Sequence, residues 1–185
     1  MQATVMNNPF ETLGLKPGFA LDLPALERRQ RELSRALHPD RFAGSSAGER
    51  RQALSRAMDV NQACRTLRDP LSRADAVLSV LGAPPVGGES ERVTDPALLM
   101  EMLEQREELD EVRRRGDRPA LASLKERMKM REQALIAELE RAFEPLLGNG
   151  TGEAQALALV RRPLTELRYV RRYLDEVAVL EDEVG

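Results

Sequence analysis

Apolar residues recur along most of this chain at the three-, four- and seven-residue spacings that keep one face of a helix dry. Leu26, Leu33 and Leu37 repeat near every seventh position. Ala53, Ala57, Val60, Cys64 and Leu67 alternate four and three apart, and Leu98, Met102, Leu109 and Val112 form a further stripe. Punctuation between the stripes sets the elements. Asn8 and Pro9 open a short helix over 8–15 with Phe10, Leu13 and Leu15 on its apolar side. Asp22 caps a second helix with Pro24 early in it, and Pro39 stops it, since the residue before proline is pushed out of the helical region. After the loop HPDRFAGSSAG a third helix spans 48–68, and a fourth restarts after Asp69-Pro70 and ends at Gly82.

The stretch LGAPPVGGESERVTDP, residues 81–96, cannot sustain a helix and reads as a linker. Beyond it, Asp95-Pro96 opens a helix to about Arg115, GDRP turns the chain, and a second helix runs to about Phe143, ahead of Pro145. LGNGTG then leads to a third helix over 153–181, which Pro163 is expected to interrupt and bend. The expected fold is all-α: an antiparallel helical hairpin with short helices in residues 1–82, a linker over 83–95, and a three-helix bundle in 96–185.

Composition narrows the function. The 185 residues include one Cys and one His, so neither a disulfide framework nor a structural zinc site is expected. No stretch approaches a membrane span and the first residues lack a secretory signal, so a cytoplasmic location is expected. Residues 1–82 carry a net charge of +3 and residues 83–185 carry −6, so the two parts suit different partners. Few aromatics accompany the basic part, which makes a weak nucleic-acid footprint. Cys64 falls on an inward stripe and reads as core, Met128 and Met130 read as packing residues, and Arg113, Arg114 and Arg115 close a helix where cations suit the dipole.

The only histidine lies in RALHPDRF, residues 35–42. It has no second histidine, nucleophile motif or carboxylate pair beside it, so no catalytic residue, metal ligand or cofactor is assigned. The triplet His38-Pro39-Asp40 either breaks a helix or is read by another protein. The helix before it carries Arg28, Arg29, Arg31 and Arg35, most of which must face water if the leucines face inward. A second unassigned surface lies after residue 95. At about 100° per residue, Leu99, Met100 and Leu103 point well away from the Leu98–Met102–Leu109–Val112 stripe, with Glu104, Arg106 and Glu107 beside them. That patch is either a binding face or a wider core contact.

Taken together, FETLGL, LERRQRELSRALHPDRF and NQACRTLRDPLSRADAVL resemble a J domain, the module that activates DnaK-type heat-shock chaperones. The resemblance implies that His38, Pro39 and Asp40 engage the chaperone's ATPase domain and linker, supported by Arg28, Arg29, Arg31, Arg35 and Arg41. The chain itself would then hydrolyse nothing. The Gly/Phe-rich linker and Cys-x-x-Cys repeats of general J proteins do not follow. DPALLMEMLEQREELDE, residues 95–111, instead resembles the corresponding helix of the HscB family, the J-type co-chaperones of iron–sulfur cluster assembly. That resemblance covers about residues 8 to 181. It implies an HscA/DnaK-type chaperone and an IscU-type scaffold as partners, the latter held by Leu99, Met100, Leu103, Glu104, Arg106, Glu107 and, from ELRYVRRYL, Tyr169. ATP and magnesium would belong to the chaperone and clusters to the scaffold. Without the paired cysteines of some eukaryotic relatives, the form resembled is bacterial. A J protein with another client is the alternative, and a homodimer is left open.

Overall fold

Short polar side chains open nearly every helix of this chain. In the computed structural model, which describes residues 8–86, 95–148 and 153–184, Asn8 accepts the Phe10 N–H at 3.0 Å, Asp22 that of Ala25 at 3.0 Å, and Asp69 that of Ser72 at 2.8 Å. Asp95 takes the Ala97 and Leu98 N–H groups at 3.0 and 3.3 Å, and Asp117 that of Ala120 at 2.9 Å. Each satisfies a donor that the helix itself leaves unpaired. Proline follows all five of these caps in the first turn, where its missing N–H costs nothing. The third helix opens on a reciprocal pair absent from the sequence expectations: Ser46 N–H donates to Glu49 at 2.8 Å and Glu49 N–H to Ser46 Oγ at 3.3 Å.

Seven α-helices and one short 3-10 turn result among the described residues, with no strand. The fold is therefore all-α, as expected, and it divides into two units, Met1–Pro84 and Pro85–Gly185. In the first, α1 (Pro9–Leu13), α2 (Leu23–Ala36), the turn Pro39–Phe42, α3 (Ala47–Arg68) and α4 (Pro70–Val80) follow in order. α3 is the central element and packs on α1, α2 and α4. Phe10, Leu13, Phe19, Leu26, Val60, Leu67, Val77 and Leu78 are all buried around it. Arg73 is also buried, with its guanidinium 4.7 Å from the centre of the Phe19 ring and Nη1 donating to the Leu67 carbonyl at 2.9 Å. α2 and α3 run antiparallel, as the bonds from Gln30 to Asn61 at 3.0 Å and from Arg68 to Glu27 at 3.5 Å require. Of the expected inward leucines on α2 only Leu26 is buried. Leu33 and Leu37 are half-buried, because the facing part of α3 offers Ala53 and Ala57, too short to cover a leucine.

The second unit holds α5 (Pro96–Arg115), α6 (Arg118–Gly148) and α7 (Glu153–Val184). Gly116 turns the chain between the first two at φ 62°, a conformation that favours glycine. α6 and α7 pack along their length, and α5 lies on both. Leu98, Leu109, Leu124, Leu135, Leu139, Phe143, Leu164, Leu167 and Val177 fill the interior. One carboxylate is buried there, that of Glu166. Arg131 holds it with two hydrogen bonds, 2.5 and 2.7 Å, so the charge is paired where water cannot reach it.

Three expectations are corrected. α6 does not end before Pro145 but continues to Gly148, and α7 runs through Pro163 without a break. Each proline deprives one carbonyl of its helical partner, that of Arg141 or of Leu159, and both residues are exposed, so water can serve that oxygen. Buried Leu146 after one proline and Leu164 after the other reward helical continuation. Thirdly, Met128 is buried but Met130 is 70% exposed, so only the first of the two packs. In the stretch read as a linker, Ala83 and Val86 are buried, and the Val86 carbonyl accepts Arg168 Nε at 2.8 Å. Residues 87–94 of that stretch, and 149–152 of the later loop, lie outside the described residues.

Candidate functional site

Two exposed features, one in each unit, correspond to the surfaces expected to bind partners. The first is the end of α2. The helix stops at Ala36, Leu37 forms its cap, and His38 enters an extended conformation at φ −62°, ψ 134°. The start of the expected loop is a 3-10 turn, Pro39–Phe42, closed by the Arg41 N–H on the His38 carbonyl at 3.0 Å. The side chain of His38 is its cap: Nδ1 accepts the Asp40 N–H at 3.3 Å and lies 3.3 Å from Asp40 Oδ2. Histidine is not among the usual capping residues, which is why pattern alone gave no turn here. Both side chains face water, the carboxylate of Asp40 with 88% of its side chain exposed.

The basic residues before the turn divide. Arg28, Arg31, Arg35 and Arg41 are exposed, with Arg28 3.9 Å from Asp22 and Arg31 3.9 Å from Glu27. Pairs this exposed and loose hold a side chain weakly. Arg29 is different. Its Nε donates to the Leu13 carbonyl of α1 at 3.0 Å and Nη1 reaches Glu32 at 3.3 Å, so it ties α1 to α2 while 42% of its side chain stays exposed. No group of three His, Cys, Asp or Glu side chains among the described residues is placed to hold a metal ion. Cys64 is buried, with Sγ 3.1 Å from Gln30 Oε1, and burial pushes its thiol above the usual range.

The second feature is the outer face of α5. Leu98, Met102 and Leu109 are buried beneath it, while Leu99, Met100 and Leu103 are 43%, 56% and 49% exposed. Three large apolar side chains thus share an open face on a helix whose core side is already filled. Glu104 and Glu107 lie exposed beside them. Arg106 is engaged by Glu176 of α7, with Asp110 3.9 Å away, and the Glu176 carboxylate raises its pKa further. Tyr169 on α7 is half-buried, and its hydroxyl donates to the Met102 carbonyl at 2.8 Å, the residue beside Leu103. Tyr169 therefore braces α5 directly behind the open patch.

Sequence reasoning missed Tyr173 and Glu176. Both follow Tyr169 at i+4 and i+7, so helical spacing alone places all three on one face of α7. The rings of Tyr169 and Tyr173 stand 6.1 Å apart at 53°. Burial pushes both phenols up to about 12, so each stays protonated throughout the neutral range. Their hydroxyls nevertheless differ, because that of Tyr173 is buried with no hydrogen-bond partner among the described residues. Tyr169→Phe is expected to lower stability by about 1 kcal/mol, and Tyr173→Phe to leave it unchanged or raise it slightly. Thermal unfolding of the two variants checks this, and equal losses would contradict the assignment.

No helix among the described residues is long and apolar enough to cross a membrane. Comparison with known proteins gives a consistent set of likenesses. The family model for the HSCB C-terminal oligomerisation domain matches residues 94–178. A co-chaperone protein HscB homolog of Haemophilus influenzae is 33% identical over 179 residues, covering 97% of this chain and 98% of that protein. One from Vibrio vulnificus is 34% identical over 178 residues, 96% of this chain and 98% of that one. Among solved structures, chaperone HscB from Vibrio cholerae superposes with a TM-score of 0.74 at 31% identity over 97% of this chain and 100% of that chain. The human co-chaperone protein HscB, at 22% identity, shares the fold with a TM-score of 0.80 over 98% of this chain and 85% of its own.

Proposed function

The chain belongs to the HscB co-chaperone family, and on that premise we propose that it stimulates the ATPase of an HscA/DnaK-type chaperone and delivers an IscU-type scaffold to it for iron–sulfur cluster assembly. The observation that carries the reading is the exposed apolar triad Leu99, Met100 and Leu103 on a helix whose opposite side is already buried. Such a face, with Glu104 and Glu107 at its border, suits an apolar spot on a protein partner better than solvent. The turn that carries His38, Pro39 and Asp40 forms the chaperone-facing surface together with Arg28, Arg31, Arg35 and Arg41, the contact itself being made by Asp40 and the arginines. Here Asp40 offers a water-facing carboxylate and the arginines offer long-range attraction for an acidic partner. Arg29, anchored to the Leu13 carbonyl of α1, adds the exposed part of its side chain to this surface. Carrying both sites on one chain raises the effective concentration of the scaffold at the chaperone without any new contact.

The test is the steady-state ATPase rate of a DnaK-type chaperone with the full chain, measured with and without an IscU-type scaffold. The reading requires stimulation by the chain and a further rise with scaffold. Stimulation without that rise would favour a J protein with another client, the second reading. Absence of stimulation with either an HscA- or a DnaK-type chaperone would overturn the proposal.

A further inference from the structure

Among the described residues the helix and turn caps are Asn8, Asp22, Ser46, Asp69, Asp95 and Asp117, each a short oxygen acceptor, and then His38. Nδ1 of an imidazole stands two bonds from Cβ, as does Oδ1 of asparagine, so it can occupy the same place in a turn. An asparagine before proline accepts the N–H two residues on, because proline's fixed φ aims that N–H back at it. His38 does the same: Nδ1 is 3.3 Å from the Asp40 N–H, with Pro39 between. A neutral ring accepts there and keeps its proton on Nε2, while a protonated ring donates from Nδ1 to Asp40 Oδ2, also at 3.3 Å. In either form the atom that organises Asp40 is Nδ1. Nothing else in the described residues holds that carboxylate, which is 88% exposed.

We propose that His38 is a positioning residue: its Nδ1 caps the Pro39–Phe42 turn and aims Asp40 outward, and its Nε2 edge is dispensable. This goes one step beyond the chaperone reading and rests on it for its functional readout. Asparagine places an acceptor where Nδ1 stands. Glutamine places its amide one bond further out, near Nε2, and cannot close the turn.

His38→Asn and His38→Gln therefore separate the two edges of the ring. The full chain carrying each substitution is assayed for chaperone ATPase stimulation, with thermal unfolding to confirm an unchanged fold. Asn is expected to keep stimulation within about threefold of the parent and Gln to lose about tenfold, in line with the loss of a cap. Gln equal to or better than Asn, or equal loss in both, would overturn the proposal, since the Nε2 edge would then be required. The backbone amide of Asp40 gives a readout that needs no chaperone. Its hydrogen exchange is expected to match the parent in His38→Asn and to speed up about fivefold or more in His38→Gln. Equal exchange in the two variants sinks the capping role even if the chaperone reading itself fails.

Discussion

Replacing Leu99 and Leu103 together with alanine is expected to weaken binding of an IscU-type scaffold about a hundredfold while leaving the chain folded. The two side chains are 43% and 49% exposed, so each has roughly half its surface still to bury against a partner. Truncating an anchor of that kind costs about 1–2 kcal/mol, and two neighbouring losses together reach about a hundredfold in Kd. The fold should hardly notice. Leu98, Met102 and Leu109 supply the core contacts of α5, and Tyr169 keeps its bond to the Met102 carbonyl. Calorimetric titration against the scaffold, beside thermal unfolding of the free chain, reads both quantities. Binding within threefold of the parent would return Leu99 and Leu103 to the status of incidental surface residues. Stimulation of the chaperone by the double variant without scaffold should be unaffected, since neither leucine lies in the unit that holds the turn.

The second large effect is expected at Asp40. Asp40→Asn keeps the size of the side chain and the N–H that His38 accepts, and removes only the charge. Apart from His38, no cationic side chain among the described residues lies within ion-pair distance of that carboxylate, so its natural counterpart is a guanidinium or ammonium across an interface. A charge-assisted bond of that kind contributes about 1.5–3 kcal/mol, so stimulation at a subsaturating concentration should fall about tenfold or more. The measurement is the ATPase rate as a function of co-chaperone concentration. If Asp40→Asn matches the parent curve, the carboxylate does not meet a cation in the complex.

Much of this was legible in the residues because the chain punctuates itself. Caps and prolines bracket α1, α2, α4 and α5, and the outward set on α5 follows from helical geometry once Leu98, Met102 and Leu109 are known to face inward. Pro145 and Pro163 misled for a physical reason. Proline's cost is local, whereas the gain from burying Leu146 or Leu164 depends on a neighbouring helix that a linear pattern does not contain. The same limit applies to Arg29. It stands in a row of arginines that look alike, and only the nearby Leu13 carbonyl singles it out. Arg106 could not be told from a free charge without Glu176, seventy residues away.

Buried Glu166, held by the half-exposed Arg131, has a consequence for how α6 and α7 find each other. Apolar side chains are forgiving: leucine meets leucine about as well after a slip of one turn, about 5.4 Å along the axis. A buried carboxylate is not. Moved one turn, Glu166 would stand in the interior without its guanidinium, at a cost of several kcal/mol. With the outer ion pairs Lys125–Glu181 and Arg171–Glu132 between the same helices, it works as a key, rejecting misaligned collapsed states that hydrophobicity alone would tolerate. It also makes the two positions hostage to each other, because a change at either is harmful until the other has changed too.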